Sequence, residues 1–236
     1  MIKKIFLKKM CKAFDDSYSF INQEIIKFKK QEQYPNKNIQ ILDVGCGEGN
    51  ITPLLLKNVI NYEVYGLDCI EHKDLINEEI IYKKCFFDKE AYPYEDESFD
   101  IVVASQVIEH MLNKDFLISE CYRVLRKGGL FLCATENIAS FDNILSLSLG
   151  QEPLSQHTGA RYYTNSCLSP HFMTKVAHET GNKYLHKNVC SYFGLKRLCV
   201  LNGFKNCKIE SMGNLNFIFE KIFKIYNRLI IACAIK

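Results

Sequence analysis

Apolar residues follow two rhythms along this chain. Between residues 2 and 30 they recur at helical spacing, with Ile5, Phe6, Phe14, Phe20, Ile21, Ile25, Ile26 and Phe28 set among lysines, which predicts one or two amphipathic helices. From Gln40 onward, short apolar runs alternate with helix-like stretches. Strands are expected at Gln40–Val44, Tyr62–Leu67, Ile80–Phe86, Phe99–Ser105 and Leu130–Thr135, with helices from about Ile51 and over Asn113–Leu125. Beyond these, a helix is expected at Tyr192–Asn202, a strand near Cys207–Met212, a helix at Phe217–Asn227 and a last strand at Leu229–Ala234. Strand and helix in alternation imply right-handed βαβ units and a parallel sheet covered on both faces, an α/β architecture. In such sheets ligands sit beyond the carboxyl ends of the strands, so residues at those ends are the first candidates for chemistry.

Three of the predicted strands end in an acid: Asp43, Asp68 and Asp88. Behind the first lies Ile41-Leu-Asp-Val-Gly-Cys-Gly-Glu-Gly49, in which Gly45, Gly47 and Gly49 alternate with other residues. Glycine lets a ligand lie against the backbone and freely adopts positive φ. The dinucleotide fingerprint spaces its third glycine one residue later and places an acid about twenty residues on. Asp68 fills that later role, suited to a pair of ribose hydroxyls, and Asp88 is placed to accept from the amino group of an adenine. Asp43 can accept hydrogen bonds from its own loop or from a cationic ligand group.

The resemblance to a family rests on four ordered stretches: the glycine loop, Tyr94-Glu-Asp-Glu-Ser-Phe-Asp-Ile-Val-Val-Ala-Ser-Gln-Val-Ile-Glu-His-Met111, Arg123-Val-Leu-Arg-Lys-Gly-Gly-Leu-Phe-Leu132, and the segment from His186 to Gly203-Phe204. Together they resemble the class I S-adenosylmethionine-dependent methyltransferases, most clearly over residues 38–137. The resemblance implies a doubly wound, Rossmann-like sheet of seven strands, mostly parallel, with an antiparallel last strand and an inserted segment after strand five. It implies a single domain over residues 1–236: an N-terminal helical lid (1–37), a cofactor-binding core (38–137), a substrate-side insertion (138–190) and the C-terminal end of the sheet (191–236). It implies S-adenosyl-L-methionine as cofactor, held by Asp43, Gly45, Gly47, Gly49, Asp68, Asp88, Ser105 and Gln106.

Methyl transfer from a sulfonium needs mainly a nucleophile held close and in line. A general base helps where the acceptor is a hydroxyl or a protonated amine. Glu109 and His110, just past strand four, are the candidate catalytic residues. Ubiquinone-type O-methyltransferases and small-RNA 2′-O-methyltransferases carry a Glu-x-x-Glu-His pattern that binds a divalent metal; here the first position is Gln106, and no metal is expected. The alternative for Glu109 and His110 is that they orient the following helix.

The remaining features bound the partners. Residues 138–187 break the alternation and hold four of the six histidines, making His157, Arg161, Tyr162, Tyr163 and His171 candidates for substrate contact, while His171 and His178 have no adjacent carboxylate pattern for a metal. A net charge of +3 with dispersed lysines argues against nucleic acid, and a small-molecule acceptor, a metabolite or glycan hydroxyl, is expected. An RNA methyltransferase and a cofactor-binding regulatory protein without turnover are the alternatives. Eleven cysteines without a C-x-x-C pair read as reduced, buried residues of a cytoplasmic protein. The apolar C-terminal stretch carries Glu220, Lys221, Lys224 and Arg228 and is too short to span a membrane. Peripheral contact of the basic first ten residues with an anionic membrane surface is a further alternative to a packing helix.

Overall fold

Central strands of a sheet covered on both sides must be apolar on both faces, and successive side chains alternate between those faces. Ile41, Ile101, Val103 and Leu132 point to one side, where they pack with Ile21, Ile25 and Leu55. Leu42, Val44, Val102, Ala104 and Phe131 point to the other, against Leu117, Ile118 and Leu195. The computed structural model describes residues 2–31, 34, 36–71, 77–156, 185–213 and 223–236, with side chains from residue 11 onward.

In chain order the elements are α1 (Ile2–Lys29), β1 (Ile39–Val44), α2 (Thr52–Leu55), β2 (Tyr62–Asp68), β3 (Ile81–Lys84), β4 (Phe99–Ser105), α3 (Lys114–Val124), β5 (Leu125–Glu136), α4 (Phe141–Ser148), α5 (Tyr192–Leu201), β6 (Lys205–Met212) and β7 (Leu229–Ile235). They form a seven-stranded sheet in the order β3-β2-β1-β4-β5-β7-β6. The pairs from β3 to β5 are parallel, and β7 runs antiparallel to both β5 and β6. The expected α/β sheet with an antiparallel last strand is therefore the observed one. Its order reverses between β1 and β4, which opens a crevice at their carboxyl ends.

Asp100 fixes the opposite, amino end. Its buried carboxylate accepts from Gln40 N (2.9 Å), Lys37 Nζ (2.8 Å) and Arg126 Nη1 (2.6 Å). Burial pushes its pKa up, but these three donors outweigh burial and hold it below the usual carboxylate range. The result ties β1, β4 and the start of β5 into one register.

Several boundaries differ from those expected. The helix expected from Ile51 is a single turn, Thr52–Leu55, with Pro53 in its first turn and Asn58 at φ +62° soon after it. β3 is shorter than Ile80–Phe86 and largely exposed, as suits an edge strand carrying Lys83 and Lys84. β5 begins five residues early, at Leu125. Most of the expected helix Phe217–Asn227 lies outside the described residues, and its described end, Lys224–Tyr226, is one 3₁₀ turn. The N-terminal pattern forms one helix rather than two: α1 buries Ala13, Ile21, Ile25 and Phe28, and Asn22 Nδ2 fastens it to Leu55 O (2.9 Å) and Lys57 O (2.8 Å).

Cys46, Cys85, Cys121, Cys133, Cys190, Cys199 and Cys207 are buried free thiols. No helix among the described residues is long and apolar enough to cross a membrane.

Candidate active site

At the carboxyl end of β1 the chain turns through Gly45 (φ +75°), Gly47 (φ +55°) and Gly49 (φ +83°). Gly45 is required twice over: a side chain there would be in the left-handed region, and its Cβ would stand 2.7 Å from Val107 Cγ2. The loop is stitched to β2 by Gly45 N to Leu67 O (2.7 Å). Asp68, at the end of β2, accepts from Gly47 N (2.8 Å) and Cys69 N (2.6 Å), so the carboxylate expected to meet a ribose also holds the loop in shape. Asp43 is buried and accepts from Thr52 Oγ1 (2.7 Å), which joins the strand end to the first turn of α2. Burial pushes its pKa up to about 7, with the charge of Asp68 adding and the Thr52 hydrogen bond opposing.

A cavity of about 310 Å³ opens over this loop, lined by Tyr18, Asp43, Gly45, Cys46, Gly47, Glu48, Asn50, Ile51, Leu55, Ser105 and Gln106. Of the residues assigned to the cofactor, Asp43, Gly45, Gly47, Ser105 and Gln106 are in its wall. Gly49, Asp68 and Asp88 are not. Asp88 accepts from Leu112 N (3.0 Å) and Asn113 N (3.1 Å), and so shapes the turn before α3. Gln106 sits at φ +57°, a conformation that costs a non-glycine residue about 1–3 kcal/mol. Among the described residues its Nε2 and the Ser105 Oγ are buried without a hydrogen-bond partner. Tyr18 of α1, Ile51 and Leu55 were not anticipated; helical periodicity marks a buried face but carries no sign that one of its residues meets a ligand.

Just past β4, residues 108–110 form a 3₁₀ turn carrying the two candidate catalytic residues. Glu109 is fully buried. Its Oε2 accepts from Thr135 Oγ1 of β5 (2.8 Å), and its Oε1 has no partner among the described residues, an arrangement that costs about 1–3 kcal/mol or more for a charged group. Burial pushes the Glu109 carboxyl up to about 7, although the neighbouring His186 pulls it down. His110 places Nδ1 3.1 Å from Leu185 O, and burial with the charge of His186 lowers its pKa to about 4.

His186 was not among the candidate residues, yet it completes the centre. Lys187 N and Asn188 N donate to the Glu109 carbonyl (2.9 and 3.0 Å), and Ile138 N to Cys190 O (2.9 Å), so the segment before α5 is clamped against the 3₁₀ turn. The His110 and His186 rings meet edge to face with centroids 4.9 Å apart. One ligating atom from each of Glu109, His110 and His186 lies within 4.8 Å of the others. Behind them, His186 Nδ1 is 2.7 Å from Ser155 O and 3.2 Å from Glu136 Oε2. Glu136 continues to Arg228 Nη2 (3.4 Å), and Arg228 Nη1 to Asp142 Oδ2 (2.8 Å). Burial opposes a charged His186, but Glu136 and Glu109 outweigh it and hold its pKa up at about 9. The other candidates of the insertion, His157, Arg161, Tyr162, Tyr163, His171 and His178, lie outside the described residues.

Comparison with known proteins bears on the same strands. The profile of a family described as a methyltransferase domain matches residues 42–133, from β1 into β5. The chain is 28% identical over 180 residues to the mitochondrial ubiquinone biosynthesis O-methyltransferase of Rattus norvegicus, covering 69% of this chain and 50% of that protein. It is 31% identical over 130 residues to a probable S-adenosylmethionine-dependent methyltransferase of Mycolicibacterium smegmatis, covering 54% and 49%. The chain thus spans about half the length of these curated relatives. Among solved structures, a methyltransferase of Thermotoga maritima described as a possible histamine N-methyltransferase shares the fold, with a TM-score of 0.54 at 16% identity over 100% of this chain and 99% of that one. The matched strands are those whose carboxyl ends build the cavity, and a solved relative of the same fold from Haemonchus contortus holds S-adenosyl-L-methionine. Residues 42–133 thus match a methyltransferase domain, set in a fold shared with solved S-adenosylmethionine-dependent methyltransferases.

Proposed function

We propose that the protein transfers the methyl group of S-adenosylmethionine to a hydroxyl of a small molecule, a metabolite or glycan, with the acceptor oxygen met by Glu109, His110 and His186. The observation that carries this reading is the buried Glu109 carboxyl, one oxygen anchored on Thr135 and the other without a protein partner among the described residues, beside two imidazoles and three residues beyond the cavity-lining Gln106. A hydroxyl is a poor nucleophile until its proton is drawn away, and a carboxyl with a raised pKa next to an imidazole is suited to take it. The relatives named as ubiquinone biosynthesis O-methyltransferases support an oxygen acceptor.

Each part of the chain has its task in this reading. Gly45 and Gly47 let the cofactor lie against the loop. Asp68 holds the loop and offers its remaining lone pairs to the ribose, and Asp88 fixes the turn from which the adenine is approached. Ser105 and Gln106 bring two buried polar groups to the cavity wall. Thr135 aims Glu109, and proximity of the aligned acceptor supplies most of the acceleration.

Titration of the purified protein with S-adenosylmethionine and S-adenosylhomocysteine by calorimetry tests the cofactor assignment, with micromolar binding expected. A panel of phenols, sugars and catechols with labelled cofactor then tests the acceptor, with label expected in an ether linkage. Label found only on nitrogen or carbon acceptors defeats the hydroxyl reading. Cofactor binding with no transfer across the panel favours a regulatory role.

A further inference from the structure

Resting on the proposed methyl transfer from S-adenosylmethionine, we propose that Tyr18 of α1 receives the sulfonium and its methyl group where the cavity meets the acceptor centre, and so distinguishes the charged cofactor from the neutral product. The packing of α1 sets its place. Tyr18, Ile21, Asn22 and Ile25 follow one another at three- and four-residue intervals and share one face of the helix. Ile21 and Ile25 are buried in the core with Ile41, Ile101 and Leu132, and Asn22 Nδ2 holds the helix to Leu55 O (2.9 Å) and Lys57 O (2.8 Å). Tyr18, one turn earlier, is thereby carried over the carboxyl end of the sheet, where it lines the cavity with Asp43, Gly45, Ser105 and Gln106.

The surroundings suit a cation. Among the described residues that line the cavity are two carboxylates, Asp43 and Glu48, and no lysine or arginine. Ser105 Oγ and Gln106 Nε2 are buried in the same wall without a hydrogen-bond partner among the described residues, so this wall is built to meet polar ligand atoms. No hydrogen bond among the described residues engages the Tyr18 hydroxyl, which keeps its lone pairs for a ligand. Burial, followed by the charges of Asp15 and Glu109, pushes the phenol above its ordinary pKa. The hydroxyl is therefore protonated and neutral at neutral pH, and the phenol stands within electrostatic reach of Glu109.

The methyl starts in the cavity and ends on an acceptor held at Glu109, so the sulfonium lies on the side of the cavity nearest Glu109. Gln106, three residues before Glu109, marks that side on the sheet, and Tyr18 marks it on α1. A sulfonium polarises the C–H bonds of its methyl, which then contact an oxygen lone pair, and its charge is drawn to an aromatic face. Transfer breaks the S–CH₃ bond, whose electron pair stays on sulfur, and forms the CH₃–O bond, while the hydroxyl proton passes to the base of the acceptor centre. Tyr18 exchanges no proton in this step. The thioether left behind is neutral and has no methyl, so it loses both attractions.

The test uses the full chain and calorimetric titration with S-adenosylmethionine, S-adenosylhomocysteine and sinefungin, in which a carbon bearing an ammonium group replaces the methyl-bearing sulfonium. Y18F keeps the ring and removes the hydroxyl, whereas Y18L removes both. For Y18F, sinefungin affinity is expected to fall about tenfold, as for loss of a hydrogen bond to a charged group, and S-adenosylmethionine affinity about threefold, as for loss of a C–H···O contact, with S-adenosylhomocysteine within about twofold of the parent. Y18L is expected to weaken S-adenosylmethionine about tenfold more than S-adenosylhomocysteine. Retained S-adenosylhomocysteine affinity also shows that the variants are folded. The proposal is overturned if both variants bind all three ligands as the parent does, or if they lose all three alike, which would make Tyr18 a wall of the cavity and no more. Failure of the parent to bind any of the three instead defeats the cofactor reading, so the two failures are distinguishable.

Discussion

The glycine loop and the proposed acceptor centre are built by opposite means. The loop is local: nine consecutive residues, Ile41–Gly49, carry the strand, the acid and the three glycines, and one carboxylate from the next strand pins it. The acceptor centre is assembled from afar. Glu109 leans on Thr135, 26 positions away, and His110 on Leu185, 75 positions away. A local device tolerates change elsewhere but fails outright when its own glycines or acid change. A centre assembled over long range can lose one support and keep its shape in part. Damage to the loop should therefore abolish binding, whereas damage to the centre should grade turnover.

The largest expected effect is at Asp68. Asp68→Ala removes both the anchor of Gly47 N and the carboxylate offered to the ribose, and charge-assisted hydrogen bonds are individually worth more than neutral ones. Calorimetry should show S-adenosylmethionine affinity lowered by about 100-fold or more, with thermal unfolding still cooperative. Unchanged affinity would sink the assignment of Asp68.

Glu109→Gln comes next. Cofactor affinity should stay within about twofold while turnover falls by about 10²–10⁴-fold, the usual worth of a positioned acid or base. If kcat is unaltered, proton transfer at Glu109 is not tenable.

A smaller effect is expected for Thr135→Val, which keeps the shape but deletes the hydrogen bond that aims Glu109. One hydrogen bond to a charged group is worth about 1.5–3 kcal/mol, so turnover should drop about tenfold with KM for the cofactor unchanged. Equal loss of cofactor binding would mean that loop and centre are mechanically one unit, which erases the contrast.

The smallest effect concerns Asp43, on the loop side. Burial raises its pKa in the folded chain to about 7, above that of an unfolded aspartate, so between about pH 4 and 7 the folded state holds the extra proton. Its contribution to stability is therefore present at low pH, declines as pH rises through that window and is flat above it. Denaturant unfolding of the parent and Asp43→Asn at pH 4, 5.5, 7 and 8 should show the difference between the two growing toward pH 7 and then levelling. A constant difference would mean that Asp43 titrates normally in the fold.

The fold was legible where the signal is short in range. Strand alternation in β1, β4 and β5 is written in adjacent residues, and both faces of those strands proved buried as a parallel sheet demands. The boundaries that departed from expectation are those set by neighbours. α2 shrinks to one turn because Pro53 and the left-handed Asn58 bracket it, and β5 extends back to Leu125, where it pairs with Phe99 across an irregular register.

By itself the sequence determined the α/β class, the switch-point loop with Gly45 and Gly47, the acids at the ends of β1 and β2, and the place of Glu109 and His110 after β4, whereas Asp88, expected at the end of β3, lies four residues beyond Lys84. These follow from periodicity and from backbone conformations that only certain residues adopt, both properties of neighbouring positions. Tertiary structure alone decided that Tyr18 walls the cavity, that Asp88 holds the turn before α3, and that His186, backed by Glu136 and Arg228, stands against Glu109 and His110. Those contacts join residues separated by dozens of positions, and their cost and benefit arise only once the sheet has brought the carboxyl ends of its strands together and taken their polar groups out of water.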